Sequence, residues 1–267
     1  MALVNGSNQS TVPVQDRGLL YGDGVFETIA VRDAVPRQLD RHLRRLRNGC
    51  DRLAIDPPAM SLLKAEAMLL CAGVERAVLK IIITRGQGGR GYRPSVETPP
   101  TRILIIIPWP EHSPDYHNQG IAILLCRTRL ARNPLLAGIK HLNRLEQVLA
   151  RAEWQDEYQE GLLLDTEGVV VEGTMSNVFA VRGETLHTPA LDCAGVAGIM
   201  RERIIEQANL AQTPVTIGEL SVDDLERADA VFFCNSLIGI WPVRQFGARS
   251  YRAHPLVRDL VRRLDAA

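Results

Sequence analysis

Ala137-Gly138-Ile139-Lys140-His141-Leu142-Asn143-Arg144, continuing to Arg151 as L-E-Q-V-L-A-R, places one lysine directly before a run of helical periodicity. Leu142, Leu145, Val148, Leu149 and Ala152 recur every three or four residues, so the spacing predicts an apolar stripe turned toward a core, with Arg144, Glu146 and Arg151 elsewhere. Lys140 stands just before that stripe, between Leu135, Leu136, Ala137 and Ile139 on one side and Leu142 on the other. An amine kept from water loses part of its preference for the charged form and becomes a usable nucleophile or base. The same position also suits a solvated helix start, which is where most lysines are found.

Outward from this stretch the patterns alternate. Short strands are expected near Leu3 and Val12, then a strand from Val25 to Val31 after the turn Tyr21-Gly22-Asp23-Gly24. In that strand Phe26 and Thr28 share one face and Val25, Glu27 and Ile29 the other. Leu39, Leu43, Leu46, Cys50 and Leu53 define a helix with arginines on its other faces, and Ser61 to Cys71 reads as a second. Ala77 to Thr84 and Arg102 to Pro108 are strand-like and rich in Ile and Val.

Between those strands Gly86, Gly88 and Gly91 fit G-x-G-x-x-G, but Tyr92, Arg93 and Pro94 follow where a dinucleotide site needs a helix. The loop R-G-Q-G-G-R-G-Y-R-P also has the composition of an RNA-contacting segment, although it is single and short. A loop that brings Arg90 and Arg93 to a substrate carboxylate fits better, since guanidinium offers that group two parallel donors.

Pro108 to Gly120 carries three prolines and reads as a linker, which gives a smaller N-terminal α/β domain over 1–110, a linker over 111–120 and a larger domain over 121–267 that carries Lys140. In the larger domain Ile121 to Cys126 opens a set of strands, and Gly161 to Asp165, Val169 to Val171 and Val178 to Val181 form a meander turning at Gly168 and Gly183. Glu172 follows three valines, so its carboxylate either has a partner or marks a solvated strand end. Gly198 leads into a helix from Arg201 to Leu210, which puts the backbone N–H groups of Ile199 and Met200 at its positive end, a generic phosphate seat. Asn235 and Ser236, at the end of a strand from Ala230 to Cys234, have polar groups suited to closing that seat. A helix near Leu256 to Leu264 completes the domain.

Composition narrows the partners. Lysine plus arginine total 31 and aspartate plus glutamate total 31, so no net charge favours nucleic acid or an anionic membrane. The five cysteines are scattered without metal-ligand spacing and read as buried thiols of a reducing compartment, with no metal expected. The first residues lack a leader-like pattern and no apolar run reaches membrane-spanning length, so a cytoplasmic protein is expected.

The segments Y-G-D-G-V-F-E-T from Tyr21, H-L-R-R-L from His42, K-H-L-N-R from Lys140, V-E-G-T-M-S-N-V-F from Val171 and G-I-M-R from Gly198 together resemble the fold type IV pyridoxal-phosphate enzymes, over nearly the whole chain and in family order. That family contains D-amino acid and branched-chain aminotransferases and aminodeoxychorismate lyases, and the R-G-Q-G-G-R-G-Y loop and the lysine segment look most like the lyases. The resemblance implies an α/β (α+β) fold of two lobes, mixed sheets with flanking helices, and a homodimer.

It implies pyridoxal 5'-phosphate held by Lys140 as a Schiff base, Glu172 at the pyridine nitrogen, and Arg45, the amides of Ile199 and Met200, and Asn235 and Ser236 at the phosphate. Related aminotransferases often have threonine where Met200 stands and a hydroxyl near Leu237, so backbone donors are expected to contribute more here. The implied reaction is proton removal by Lys140 and elimination from 4-amino-4-deoxychorismate, giving 4-aminobenzoate and pyruvate in folate biosynthesis, with Thr28 aiding the leaving oxygen and Phe26, Arg90 and Arg93 near the substrate. The alternatives are an aminotransferase on the same residues and a non-enzymatic RNA-contacting module.

Overall fold

The computed structural model describes residues 1–94 and 98–266, so Ala267, the last residue of the expected C-terminal domain, lies outside the described residues. The chain divides into two compact units, Met1–Glu111 with Ile139–Asn143, and His112–Gly138 with Arg144–Ala267.

The first unit contains strands β1 (Ala2–Val4), β2 (Ser7–Asn8), β3 (Gly24–Arg32), β4 (Val35–Pro36), β5 (Arg76–Thr84) and β6 (Thr101–Pro108) and helices α1 (Arg17–Tyr21), α2 (Leu39–Arg52) and α3 (Met60–Cys71). The strands form one antiparallel sheet in the order β2-β1-β6-β5-β3-β4. Alternation along β3 buries Val25, Glu27 and Ile29 and leaves Phe26 and Thr28 half-buried on the opposite face, as the period of two predicts. Leu43 and Leu46 of α2 and Leu63 of α3 join Val25, Ile29, Ile81 and Leu104 in one core, which also takes in Ile139. At Gly49 a β-carbon would lie 3.0 Å from Val25 and 3.1 Å from Ile139, so the absent side chain lets α2 sit this close to both. No strand forms near Val12; pairing falls on Ser7 and Asn8 instead, through a turn at Asn5 and Gly6, both with positive φ.

The second unit holds α4 (Asp115–Asn118), β7 (Ile121–Leu130), α5 (Leu145–Arg151), β8 (Glu160–Asp165), β9 (Val170–Gly173), β10 (Asn177–Arg182), β11 (Thr185–Pro189), α6 (Ile199–Leu210), β12 (Val215–Gly218), α7 (Val222–Glu226), β13 (Ala230–Asn235), β14 (Gly239–Phe246), β15 (Arg249–Ser250) and α8 (Pro255–Ala266). Its mixed sheet runs β12-β11-β10-β13-β14-β7-β8-β9, with β15 added on β14. The pairs β11·β12, β14·β7 and β7·β8 are parallel. The hairpins β8·β9 and β10·β11 turn at Gly168 and Gly183, both in the left-handed region that glycine adopts without strain. One core gathers Ile121, Leu162, Val178, Phe233 and Trp241, and another packs α6 and α8 on Phe179 and Phe232. The segment expected as a linker carries α4, whose Tyr116 packs edge-on against Trp241 at 5.2 Å.

Two expectations about the opening stretch change. Lys140 groups with the first unit and not with the C-terminal domain, because its segment runs extended beside β3: the Phe26 N–H donates to the Lys140 carbonyl at 2.9 Å and the Leu142 N–H to the Gly24 carbonyl at 3.0 Å. Helix α5 begins only at Leu145, and Leu145, Val148 and Leu149 are 76 %, 60 % and 61 % exposed, so the stripe does not face a core of this chain.

Candidate active site

In the first unit Lys140 is half-buried and its Nζ lies 4.5 Å from the centre of the Phe26 ring. Backbone pairing fixes that approach, since the Phe26 amide is bonded to the lysine's own carbonyl. A second amine joins it: Lys80 of β5, paired in register with Thr28, has its Nζ 5.1 Å from the same ring. Phe26, Thr28, Lys80 and Lys140 therefore form one aromatic-and-cationic patch. Lys80 escapes sequence reading, because only the β3–β5 register places it there.

Glu27 points the other way along β3 and is completely buried. Its Oε1 accepts from Arg45 Nε at 2.8 Å, and its Oε2 accepts from Arg45 Nη2 at 2.5 Å and from His42 Nδ1 at 2.6 Å. Burial opposes ionisation, but the Arg45 charge and the hydrogen bonds from Arg45 and His42 outweigh it and hold the carboxyl at about 2. Arg45 is thus aimed by a buried carboxylate, a bidentate arrangement that fixes the guanidinium plane. The periodicity of α2 gave the buried face that carries His42, but not this pairing.

The glycine-rich loop is anchored from below. Arg17, itself buried, donates to the Gly91 and Tyr92 carbonyls at 2.9 and 3.0 Å and to Asp23 Oδ2 at 2.9 Å, and Arg85 donates to both Asp23 oxygens, sharing Oδ2 with Arg17. Among the described residues no helix follows Gly91, where a dinucleotide cradle needs one, and Arg90 and Arg93 stand exposed on the loop.

In the second unit Glu172, 5 % exposed, accepts the Val196 N–H on Oε2 at 2.8 Å. Val196 belongs to the loop Gly195–Ala197, which pairs with Gly138: the Gly138 N–H donates to the Gly195 carbonyl and the Ala197 N–H to the Gly138 carbonyl. Gly195 has φ +83°, and a β-carbon there would lie 2.7 Å from Val171 and 3.2 Å from the Glu172 carboxylate. At α6 the N-cap is Gly198 with no side-chain cap, so the first-turn amides of Ile199 and Met200 keep their capacity to bind an anion.

Asn235 holds its own turn together. Its Nδ2 donates to the Met175 carbonyl at 3.1 Å and its Oδ1 accepts the Leu237 and Ile238 N–H groups. Ser236 is half-buried within that turn. Glu160, which the sequence did not single out, is wholly buried beneath Thr174 and Ser176. Burial drives its carboxyl upward, against the hydrogen bonds from Ser176 and Thr174. Cys50, Cys71, Cys126 and Cys234 are buried and Cys193 half-buried, all five as free thiols. Burial pushes Cys50 and Cys126 up to about 12, which leaves them unreactive at neutral pH.

Pyridoxal phosphate takes an amine for its aldehyde, cationic and amide donors for its phosphate and an acid for its ring nitrogen; the first unit carries an amine on an aromatic face and an aimed arginine, and the second an uncapped helix start and a buried carboxylate, each of a kind that fits. Residues 24–246 match the amino-transferase class IV family, and the chain belongs to it. It is 37 % identical over 265 residues to an aminodeoxychorismate lyase of Vibrio harveyi, covering 99 % of this chain and 98 % of the relative. The crystal structure of 4-amino-4-deoxychorismate lyase from Pseudomonas aeruginosa superposes with a TM-score of 0.96 at 48 % identity, covering 100 % of this chain and 98 % of that one. A branched-chain-amino-acid aminotransferase of Escherichia coli K12 is 30 % identical over 247 residues, 87 % of this chain and 79 % of the enzyme. The mixed α/β fold type IV architecture that the sequence implied is the one found.

Proposed function

We propose that this chain is a pyridoxal-phosphate-dependent lyase that converts 4-amino-4-deoxychorismate to 4-aminobenzoate and pyruvate. The observation that carries the reading is end-to-end similarity to two aminodeoxychorismate lyases, at 37 % and 48 % identity with 98 % of each relative covered.

Bound pyridoxal phosphate supplies an electron sink for the carbon that loses its proton. Lys140 would hold the cofactor through its amine, and the same amine, when free, would take the proton from the substrate carbon that bears the amino group. Glu172 keeps the ring nitrogen protonated, fixed for that task by the Val196 N–H. Arg45, aimed by Glu27, and the amides of Ile199 and Met200 bind the phosphate, with Ser236 as a hydroxyl donor. Asn235 serves this seat through the shape of its turn.

Thr28 lies in register with Lys80 on the face shared with Phe26, which suits it to orient the ether oxygen that departs. Lys80 offers a cation to a substrate carboxylate on the same face, and Arg90 and Arg93 are the loop's candidates for a second. Loss of enolpyruvate leaves an aromatic ring, so the forward direction is strongly favoured.

Two copies of the chain form the active molecule, in a reducing, cytoplasmic setting that suits its five free thiols. The exposed Leu145, Val148 and Leu149 are the apolar surface a second copy would cover.

The deciding assay is release of 4-aminobenzoate and pyruvate from aminodeoxychorismate by the cofactor-loaded protein. Equal amounts of both products are expected, and Lys80→Met should raise KM about tenfold while kcat changes less, as loss of a carboxylate partner does. Turnover of amino acids with 2-oxo acids and no release of 4-aminobenzoate would replace the lyase reading with the aminotransferase one.

A further inference from the structure

Glu160 takes no part in the chemistry above, yet it is buried completely at the start of β8. A carboxyl group there costs more than an apolar side chain of similar size unless its oxygens are supplied with donors. They are. Oε1 accepts the Gly161 N–H at 2.9 Å, the Thr174 N–H at 3.0 Å and the Thr174 hydroxyl at 2.5 Å, and Oε2 accepts the Ser176 hydroxyl at 2.5 Å. Three of these four donors come from one turn, Gly173 to Ser176, which closes on itself through the Gly173 N–H and the Ser176 carbonyl at 2.6 Å. Gly173 leaves room for the carboxyl group: a β-carbon would lie 2.4 Å from the Ser176 hydroxyl and 2.9 Å from Glu160 Oε2.

The turn leads to both ends of the proposed cofactor seat within the second unit. Glu172 is the residue immediately before it. Asn177, immediately after it, donates to the Val196 carbonyl at 2.8 Å, and the Val196 N–H is the donor that holds Glu172. At the tip, the Met175 carbonyl accepts from Asn235, whose Oδ1 gathers the Leu237 and Ile238 amides around Ser236.

We infer that Glu160 is a positioning residue, the buried anchor through which the Gly173–Ser176 turn sets both the Glu172 carboxylate and the Asn235–Ile238 turn for the cofactor. The inference rests on the proposed function, since it takes Glu172 to face the ring nitrogen.

The test measures, on the full-length protein, the dissociation constant of pyridoxal phosphate, the pH at which its bound visible band interconverts, and the melting temperature of the cofactor-free chain. Glu160→Ala should weaken cofactor binding about tenfold or more, the scale seen when an outer partner of a bound group is removed, and should move the pH midpoint. Glu160→Gln keeps an acceptor for the amides and a polar atom for Ser176, and should stay close to wild type in both. Ser176→Ala, which removes one donor and folds more readily, should change both in the same direction as Glu160→Ala, by less.

A folded Glu160→Ala with wild-type affinity and midpoint would overturn the inference. So would a Ser176→Ala variant unchanged in both, should Glu160→Ala fail to fold, or a Glu160→Gln variant as impaired as Glu160→Ala. If wild-type protein shows no visible band with the cofactor, the proposed function itself falls, and that result is distinct from these.

Discussion

Glu27 shows how one side chain can serve both stability and site geometry. Its carboxylate is buried between Arg45 and His42, and its value of about 2 against an ordinary 4.5 means that folding binds the ionised form. The stabilisation is therefore complete above about 4.5 and is lost as pH falls toward about 2. Glu27→Gln removes the charge that faces Arg45 and turns one of the two acceptor oxygens into a donor, so urea melts at pH 7 should show a loss of about 3–5 kcal/mol. That difference from wild type should narrow below pH 4.5; a constant difference from pH 7 to pH 3 would show that the charge is not its source.

Residues of this kind divide by what their signal depends on. Lys140 and Glu172 were singled out as candidates because each interrupts an apolar run, and Ile199 and Met200 because a glycine opens their helix. Lys80 and Glu160 were not, since one depends on strand register and the other on a turn that lies thirteen to sixteen residues further along the chain.

At the scale of elements, periodicity located α2, α3, α6 and α8 and most strands, because each buries one face on a sheet of its own unit. It failed at α5 for a physical reason. A three-and-four repeat identifies an apolar stripe but does not say whether the cover is the same chain or another, and Leu145, Val148 and Leu149 are uncovered. Burying each such side chain is worth about 1.5–3 kcal/mol, so a second copy that covers the stripe on both chains gains substantially. Val148→Asp with Leu149→Asp should convert the protein to a monomer in sedimentation velocity while its far-ultraviolet circular dichroism is unchanged. A doubly substituted protein that still sediments as a dimer would place the interface elsewhere. The start of α5 was also misread: pairing of His141 with Val25 pulls the lysine segment into extended backbone, a non-local force that propensity does not register.

At the scale of the molecule, the five motif segments in order conveyed more than any unit's composition, because together they imply an amine, an acid and an anion seat for one cofactor. Their distribution was the part hidden from the sequence. Lys140 and Arg45 belong to the first unit, while Glu172 and the start of α6 belong to the second, and the chain passes between units at Gly138 and Ile139. Within the second unit Gly138 is bonded to Gly195 and Ala197, and within the first Ile139 packs in the α2–β3 core.

The proposed bond between the Lys140 amine and an aldehyde cofactor can be read from the absorption spectrum of the purified protein with pyridoxal phosphate. Wild type should show a visible band that persists through gel filtration, and Lys140→Ala should lose it while keeping a wild-type circular dichroism spectrum. A folded Lys140→Ala protein with the same visible band as wild type would show that another group holds the cofactor.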